Sequence, residues 1–260
     1  MVARVFLAHQ VNSLVGLYDV TIITNLKDNN SMLSNISNKV KLINLPVERN
    51  INLFSDLRAL LKLISIFYKN KFSLVHSVSP KAGLLTSIAA WIVRVPSRFH
   101  TFTGQVWLTK KGVNRCFLKF LDKIIVALNT DILVDSFSQQ DFLIKEHVLS
   151  KGSSVVFGRG SISGVDVDQF QPSKIYRNLI RKQLKIKDDC VIFLFLGRLK
   201  KEKGVFELVE AFKNVSEKHD NCVLLVVGPD EEGLKQELTL FLETCNRLVR
   251  FVDFTKTPEK

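Results

Sequence analysis

The segment Phe193–Phe212, FLFLGRLKKEKGVFELVEAF, constrains the fold of this chain more than any other stretch. An apolar run ends at Gly197-Arg198, a charged loop follows, and beyond Lys203-Gly204 the apolar residues recur at the spacing of an amphipathic helix. Arg198 and Lys203 thereby stand at the C-terminal edge of a strand, beside a helix N-terminus. Open α/β sheets bind their ligands at that edge. Two fixed cations beside the positive end of a helix suit an anionic group such as a diphosphate. The same letters also describe a plain strand–loop–helix with solvated cations, and local chemistry alone leaves both readings open.

The rest of the chain repeats this rhythm. Strand-like runs at 19–24, 40–45, 74–77, 98–101, 132–135 and 154–157 alternate with helix-like segments at 56–69, 81–93, 111–128 and 138–146. That order predicts parallel βαβ units, with one mostly parallel sheet over 19–157. Ser136 or Ser138 is placed to cap the helix at 138–146. Val167–Ser173 has the polarity and proline of a connector. A second series follows, with a helix at 176–184, strands at 191–196, 223–227 and 249–252, and helices at 205–219 and 231–246. The expected domains are 1–170 and 171–260. The opening residues Met1–Phe6 are too short and basic for a clear strand, and 6–14 reads as a helix. In a doubly wound sheet the first strand is central, so its loss predicts a slot inside the sheet with unpaired ladder groups.

Composition narrows the function. The 260 residues carry 37 Lys and Arg against 25 Asp and Glu, a net charge of +12. Seven of these cations (Arg94, Arg98, Lys110, Lys111, Arg115, Lys119, Lys123) lie between 93 and 125 with one acid, Asp122, and are interleaved with Phe99, Phe102, Trp107, Phe117 and Phe120. Such a stretch suits an anionic membrane or a lipid diphosphate. Nucleic acid would suit the charge equally, but no nucleic-acid motif accompanies it. Cys116, Cys190, Cys222 and Cys245 are widely spaced, which argues against a zinc site and for reduced, buried thiols. No signal peptide and no uninterrupted apolar stretch of spanning length is evident.

Together with GSISGVDVDQF (160–170) and SPKAGLLTSIAA (79–90), the Phe193–Phe212 segment resembles the retaining glycosyltransferases of the GT-B superfamily, family 4. HTFTGQVW (100–107) and LVDSFSQQDFLI (133–144) are similar to the branch that extends lipid-linked sugars in bacterial capsule, O-antigen and protein-glycosylation pathways. The resemblance covers nearly the whole chain. It implies an α/β fold of two Rossmann-like domains with mostly parallel sheets, the second incomplete. It implies transfer of a sugar, an N-acetylhexosamine, from a UDP-sugar to a polyprenyl-diphosphate-linked saccharide. No metal or cofactor is implied, since cations and helix dipoles balance the departing diphosphate, and Asp166-Val167-Asp168 reads as turn chemistry. The implied location is the cytoplasmic face of the plasma membrane, in peripheral contact with anionic lipid.

The same resemblance assigns site residues. Arg198 and Lys203 carry the donor diphosphate and the catalytic leaving-group role. Gly160 and Gly164, in a loop with Ser161, Ser163 and Arg159, face the donor across the interdomain cleft. Val252 and Phe254 follow the last strand, where the nucleobase lies. Lys81, Thr103, Gly104 and Gln105 form the acceptor side. Many members have a histidine where Thr103 stands, so His100 is not assigned as a base, and His76 reads as a structural group as readily as an acceptor contact. The family's glutamate-bearing helix has no counterpart in these 260 residues. The sequence therefore resembles a truncated member, and a catalytically inactive homologue with residual phosphate or membrane binding is the alternative to an active transferase. An NAD-type Rossmann protein is disfavoured because no G-x-G-x-x-G joins a strand to a helix.

Overall fold

A computed structural model describes residues 8–26, 36–47, 52–242, 248–255 and 257–259. The chain divides into two compact units, Met1–Gly164 and Val165–Lys260. The division falls a few residues ahead of the one expected at 170. The turn that follows it belongs with the second unit: Asp166 Oδ1 accepts the N–H groups of Asp168 and Gln169 at 3.0 Å, and Gln169 donates to Glu259 at 3.4 Å. The expected opening strand and Cys245 lie outside the described residues. Of the other three thiols, Cys190 and Cys222 are buried, whereas Cys116 is exposed, against expectation.

In the first unit, α1 (Ala8–Leu14) precedes β1 (Thr21–Thr24), which pairs in parallel with β2 (Lys41–Asn44). Then come α2 (Leu53–Asn70), β3 (Leu74–Ser77), α3 (Pro80–Ile92), β4 (Ser97–Phe102), α4 (Gly112–Leu128), β5 (Asp131–Val134) and α5 (Phe137–Lys145). Local chemistry sets the helix ends. Asn52 caps α2 by accepting the Ser55 N–H at 3.2 Å, and Ser136 caps α5 through Gln139 at 3.1 Å. The buried stripe of α2, Ala59, Leu63 and Phe67, packs with Leu85, Ala89 and Ala90 of α3 in one core.

The single sheet expected over 19–157 is two separate parallel ladders among the described residues, β1-β2 and β3-β4-β5. The expected strand at 154–157 is reduced to one bridge between Leu133 and Val155. The chain leaves the ladder there through left-handed turns at Gly158 (φ 55°) and Gly160 (φ 98°).

The second unit holds α6 (Lys174–Gln183), β6 (Val191–Leu196), α7 (Val205–Ser216), β7 (Cys222–Val227), α8 (Lys235–Phe241) and β8 (Val249–Val252). Its sheet is parallel in the order β6-β7-β8, and every residue of the central β7 is buried. The last helix begins at Lys235 rather than Glu231. The Asp230 carboxylate accepts the N–H groups of Leu234 at 2.8 Å and Lys235 at 2.9 Å, which folds the intervening residues into a turn.

Candidate functional site

In the second unit, β6, β7 and β8 end together at Leu196, Val227 and Val252. Beyond them the backbones of two glycines touch. Gly228 has φ 145°, and a Cβ there would overlap the carbonyl of Gly197. The Gly197 N–H donates to Val227 O and the Leu199 N–H to Pro229 O, both at 2.9 Å. This close approach sets the loop after β6 beside the loop after β7. Arg198 Nη1 consequently lies 3.2 Å from Glu231 Oε2, and Lys200 Nζ lies 3.2 Å from the same oxygen. The hydrogen bond from Lys200, with the nearby Arg198 charge, holds the Glu231 carboxyl below its usual range.

Lys203 closes a 3-10 turn (Lys201–Lys203) and is exposed. Gly204 then enters α7 with φ 72°, which only a glycine adopts without strain. Arg198 and Lys203 thus flank the start of α7 on one loop. Sequence reasoning missed Lys200 and Glu231. The acidic run Pro229–Glu232, set directly after an apolar strand as Gly197-Arg198 is, was the available signal. Val252 is half-buried at the end of β8, and Phe254 is exposed two residues on.

In the first unit, Lys81 sits in the first turn of α3, and its ammonium is 2.6 Å from Asp56 in the first turn of α2. This ion pair gives Lys81 a structural role that the sequence reading lacked. Thr103 and Gly104 are exposed after β4, and Gln105 precedes a 3-10 turn at Val106–Thr109. The Gln105 Nε2 atom is buried with no partner among the described residues. His100 is buried. Its Nδ1 lies 2.8 Å from Ser77 Oγ, and burial, with His76 nearby, lowers its pKa to about 3. His76 Nε2 lies 2.8 Å from Thr101 Oγ1. Both imidazoles are neutral groups knitting β3 to β4.

The loop at 158–164 folds against the end of β5. The Ser161 N–H donates to Asp135 O at 2.6 Å, and Gln10 donates to Ile162 O. A Cβ at Gly160 would overlap Asp135 O, whereas one at Gly164 would meet nothing. Close packing therefore requires glycine at 160 and not at 164. Asp135 itself was missed from sequence. Its Oδ1 is buried without a partner among the described residues, and burial raises its pKa, partly offset by the Ile162 N–H.

Two family models match the chain: "Glycosyl transferase 4-like" over residues 1–136 and "Glycosyl transferases group 1" over 177–256. The chain belongs to this glycosyltransferase family. It is 36% identical over 200 residues to the capsular polysaccharide biosynthesis glycosyltransferase CapM of Staphylococcus aureus, a match covering 76% of this chain and 52% of that protein. It is 29% identical over 186 residues to the UDP-Gal:alpha-D-GlcNAc-diphosphoundecaprenol alpha-1,3-galactosyltransferase of Escherichia coli, covering 70% and 47%. The chain therefore spans about half the length of these curated relatives. Its fold matches Anabaena HepE, solved with UDP and glucose, with a TM-score of 0.70 at 15% identity over 96% of this chain and 66% of that one. The expected GT-B α/β architecture is thus the observed one, and the group 1 match contains Arg198, Lys203, Val252 and Phe254.

Proposed function

We propose that this glycosyltransferase moves a sugar, an N-acetylhexosamine, from a UDP-sugar to a polyprenyl-diphosphate-linked saccharide, with retention and without a metal, in surface-glycan synthesis. The observation that carries the reading is the C-terminal edge of the second sheet. Arg198, Lys200 and Lys203 gather there beside the start of α7, in the stretch the group 1 model matches. The named relatives supply the substrate class, since the Escherichia coli protein's name specifies a UDP-sugar and a diphosphoundecaprenol acceptor.

Arg198 and Lys203 hold the donor diphosphate. Arg198 exchanges its Glu231 partner for phosphate oxygens, to which its planar fork is well matched. Charge grows on the leaving diphosphate in the transition state, so fixed cations stabilise that state more than the ground state. Val252 and Phe254 border the nucleobase, Gly160 and Gly164 the donor sugar, and Lys81, Thr103, Gly104 and Gln105 the acceptor. The exposed apolar stripe of α4, Val113, Phe117 and Phe120, with Lys110, Lys111 and Lys123, rests on the anionic inner face of the membrane.

The test is titration of the chain with UDP by calorimetry, alongside turnover with UDP-N-acetylhexosamines, UDP-galactose and a polyprenyl-diphosphate acceptor. Arg198→Ala and Lys203→Ala should each weaken UDP binding by about tenfold or more, the weight of a charge-assisted contact. UDP binding that neither substitution alters would overturn the site. UDP binding without transfer would support the non-catalytic alternative.

A further inference from the structure

At the C-terminal edge of the second sheet, two cations converge on one carboxylate oxygen. Arg198 Nη1 and Lys200 Nζ each lie 3.2 Å from Glu231 Oε2. The backbone sets up this meeting. Leu199 continues the line of β6 past Gly197, forms a single parallel bridge with Asp230, and is buried. Along an extended backbone, side chains alternate between faces, so Arg198 and Lys200 stand together on the face opposite Leu199. The same bridge brings Glu231, one residue past Asp230, up to both of them.

The two cations are not held alike. Lys200 Nζ also lies 4.0 Å from Glu232 Oε1, and Glu232 is itself tied to this loop by the Lys201 N–H, which donates to its Oε2 at 3.1 Å. Lys200 therefore has two carboxylates about it, whereas Arg198 has Glu231 among the described residues. The hydrogen bond from Lys200 is also the largest influence holding the Glu231 carboxyl low. A diphosphate approaching this edge meets an anion, Glu231, where an anion must dock. If Arg198 left that carboxylate with no replacement, a bare charge would stand beside the phosphates and repel them.

We propose that Lys200 is a positioning residue: it keeps Glu231 neutralised while Arg198 turns from that carboxylate to the donor diphosphate. The inference rests on the diphosphate reading of this edge and deepens it. Glu231 is the resting partner of Arg198, and it competes with the donor for the guanidinium. The residue types suit these roles. An ammonium is a compact point charge that re-aims its three donors between two carboxylates as Arg198 departs, whereas the planar guanidinium is the better match to phosphate oxygens. Lys200 thus acts on the donor through Glu231 and Arg198, without touching it.

The experiment titrates the full chain with UDP by calorimetry at one salt concentration, as wild type, Lys200→Gln, Glu231→Gln and the double variant. Lys200→Gln should weaken UDP binding about threefold or more, and Glu231→Gln should tighten it by about as much, the scale of a part-exposed ion pair. In the Glu231→Gln background, Lys200→Gln should change the affinity by less than about twofold, because no carboxylate is left to neutralise. Lys200→Arg, which keeps the charge, should recover most of the lost affinity. An equal effect of Lys200→Gln in both backgrounds would overturn the proposal, since Lys200 would then act on the phosphates directly or through the general field. So would weaker binding by Glu231→Gln, which would make Glu231 a support of the bound Arg198 and not its competitor. Arg198→Ala separates this inference from the reading beneath it. UDP binding that is indifferent to Arg198→Ala, or absent from the wild type, would overturn both. Binding that needs Arg198 but shows independent Lys200 and Glu231 effects would overturn this inference alone.

Discussion

The indole N–H of Trp107 donates to Asp122 Oδ2 at 2.7 Å, in a core where Trp107 is 1% exposed and Asp122 7%. Phe142 stacks on the indole at 5.5 Å, and the cations of Arg115 and Lys119 lie 5.2 and 5.7 Å from its ring centre. Both cations also pair with Glu146, at 2.9 and 2.7 Å. The one acid of the basic stretch is therefore an internal group. Burial raises its pKa from 3.8 to about 6, against the opposing pull of the indole hydrogen bond.

A pH dependence follows. The folded state binds the Asp122 proton more tightly than the unfolded chain does, so the protonated acid is favourable at low pH, and that advantage is lost as pH rises through about 4 to about 6. The loss amounts to at most about 3 kcal/mol at ~1.36 kcal/mol per pKa unit. Asp122→Asn keeps an acceptor for Trp107 and removes the ionisation. Urea unfolding of both proteins should show the variant gaining on the wild type across that window. A constant difference between them would refute a raised Asp122 pKa.

Gly83 of α3 lies against the buried His100 ring, and a Cβ at 83 would overlap the imidazole. The ring is fixed by Ser77 and stacks edge-on against Phe102 at 4.7 Å, so it has little freedom to yield. Gly83→Ala should destabilise the first unit by about 1–3 kcal/mol despite alanine's better helix propensity. Thermal unfolding decides it, and a variant as stable as the wild type would show that the helix and strand are not in contact there.

Gly228→Ala should be costlier still. Its φ of 145° disfavours any side chain, and the methyl would displace the carbonyl of Gly197. The two loops that bring Arg198 to Glu231 would separate, so UDP affinity and stability of the second unit should fall together. Gly104→Ala is the control, since its methyl would meet nothing. Equal effects from the two substitutions would contradict this account.

Binding to anionic vesicles should be measurable at low salt and weaken as salt screens it. Not all seven cations of the basic stretch contribute. Arg98 is tied to Leu128 O at 2.7 Å and Val95 O at 2.6 Å, and Arg115 and Lys119 are held by Glu146. Phe102 and Trp107 are core residues, which leaves Phe117 and Phe120 as the exposed aromatics of α4. Lys110→Glu with Lys111→Glu should cut vesicle binding in co-sedimentation, and Phe117→Ser should lower what remains at high salt. Loss of binding on reversing Lys119 alone would place the contact elsewhere.

Much of the secondary structure was legible. β3 and β6 occupy the expected residues, and Ser136 is one of the two caps proposed for α5, because apolar period and capping chemistry act over a few residues. The strand at 154–157 misled, since its apolar letters are the same whether they form a ladder or one bridge before a glycine turn. The one sheet expected over 19–157 is two ladders among the described residues, because which strands pair is set by long-range packing that no short run of letters records.

The candidate site divides the same way. The placement of Arg198 and Lys203 after a strand and before a helix is local, and the sequence by itself determined it, together with the α/β class and the family. The pairing of Arg198 with Glu231, of Lys81 with Asp56 and of Trp107 with Asp122 was decided by tertiary structure alone. Each joins side chains from different elements or loops, and no periodicity in the letters records which polar group will stand opposite which. That depends on glycine contacts such as Gly197 with Gly228, where the absence of a side chain sets the distance between loops.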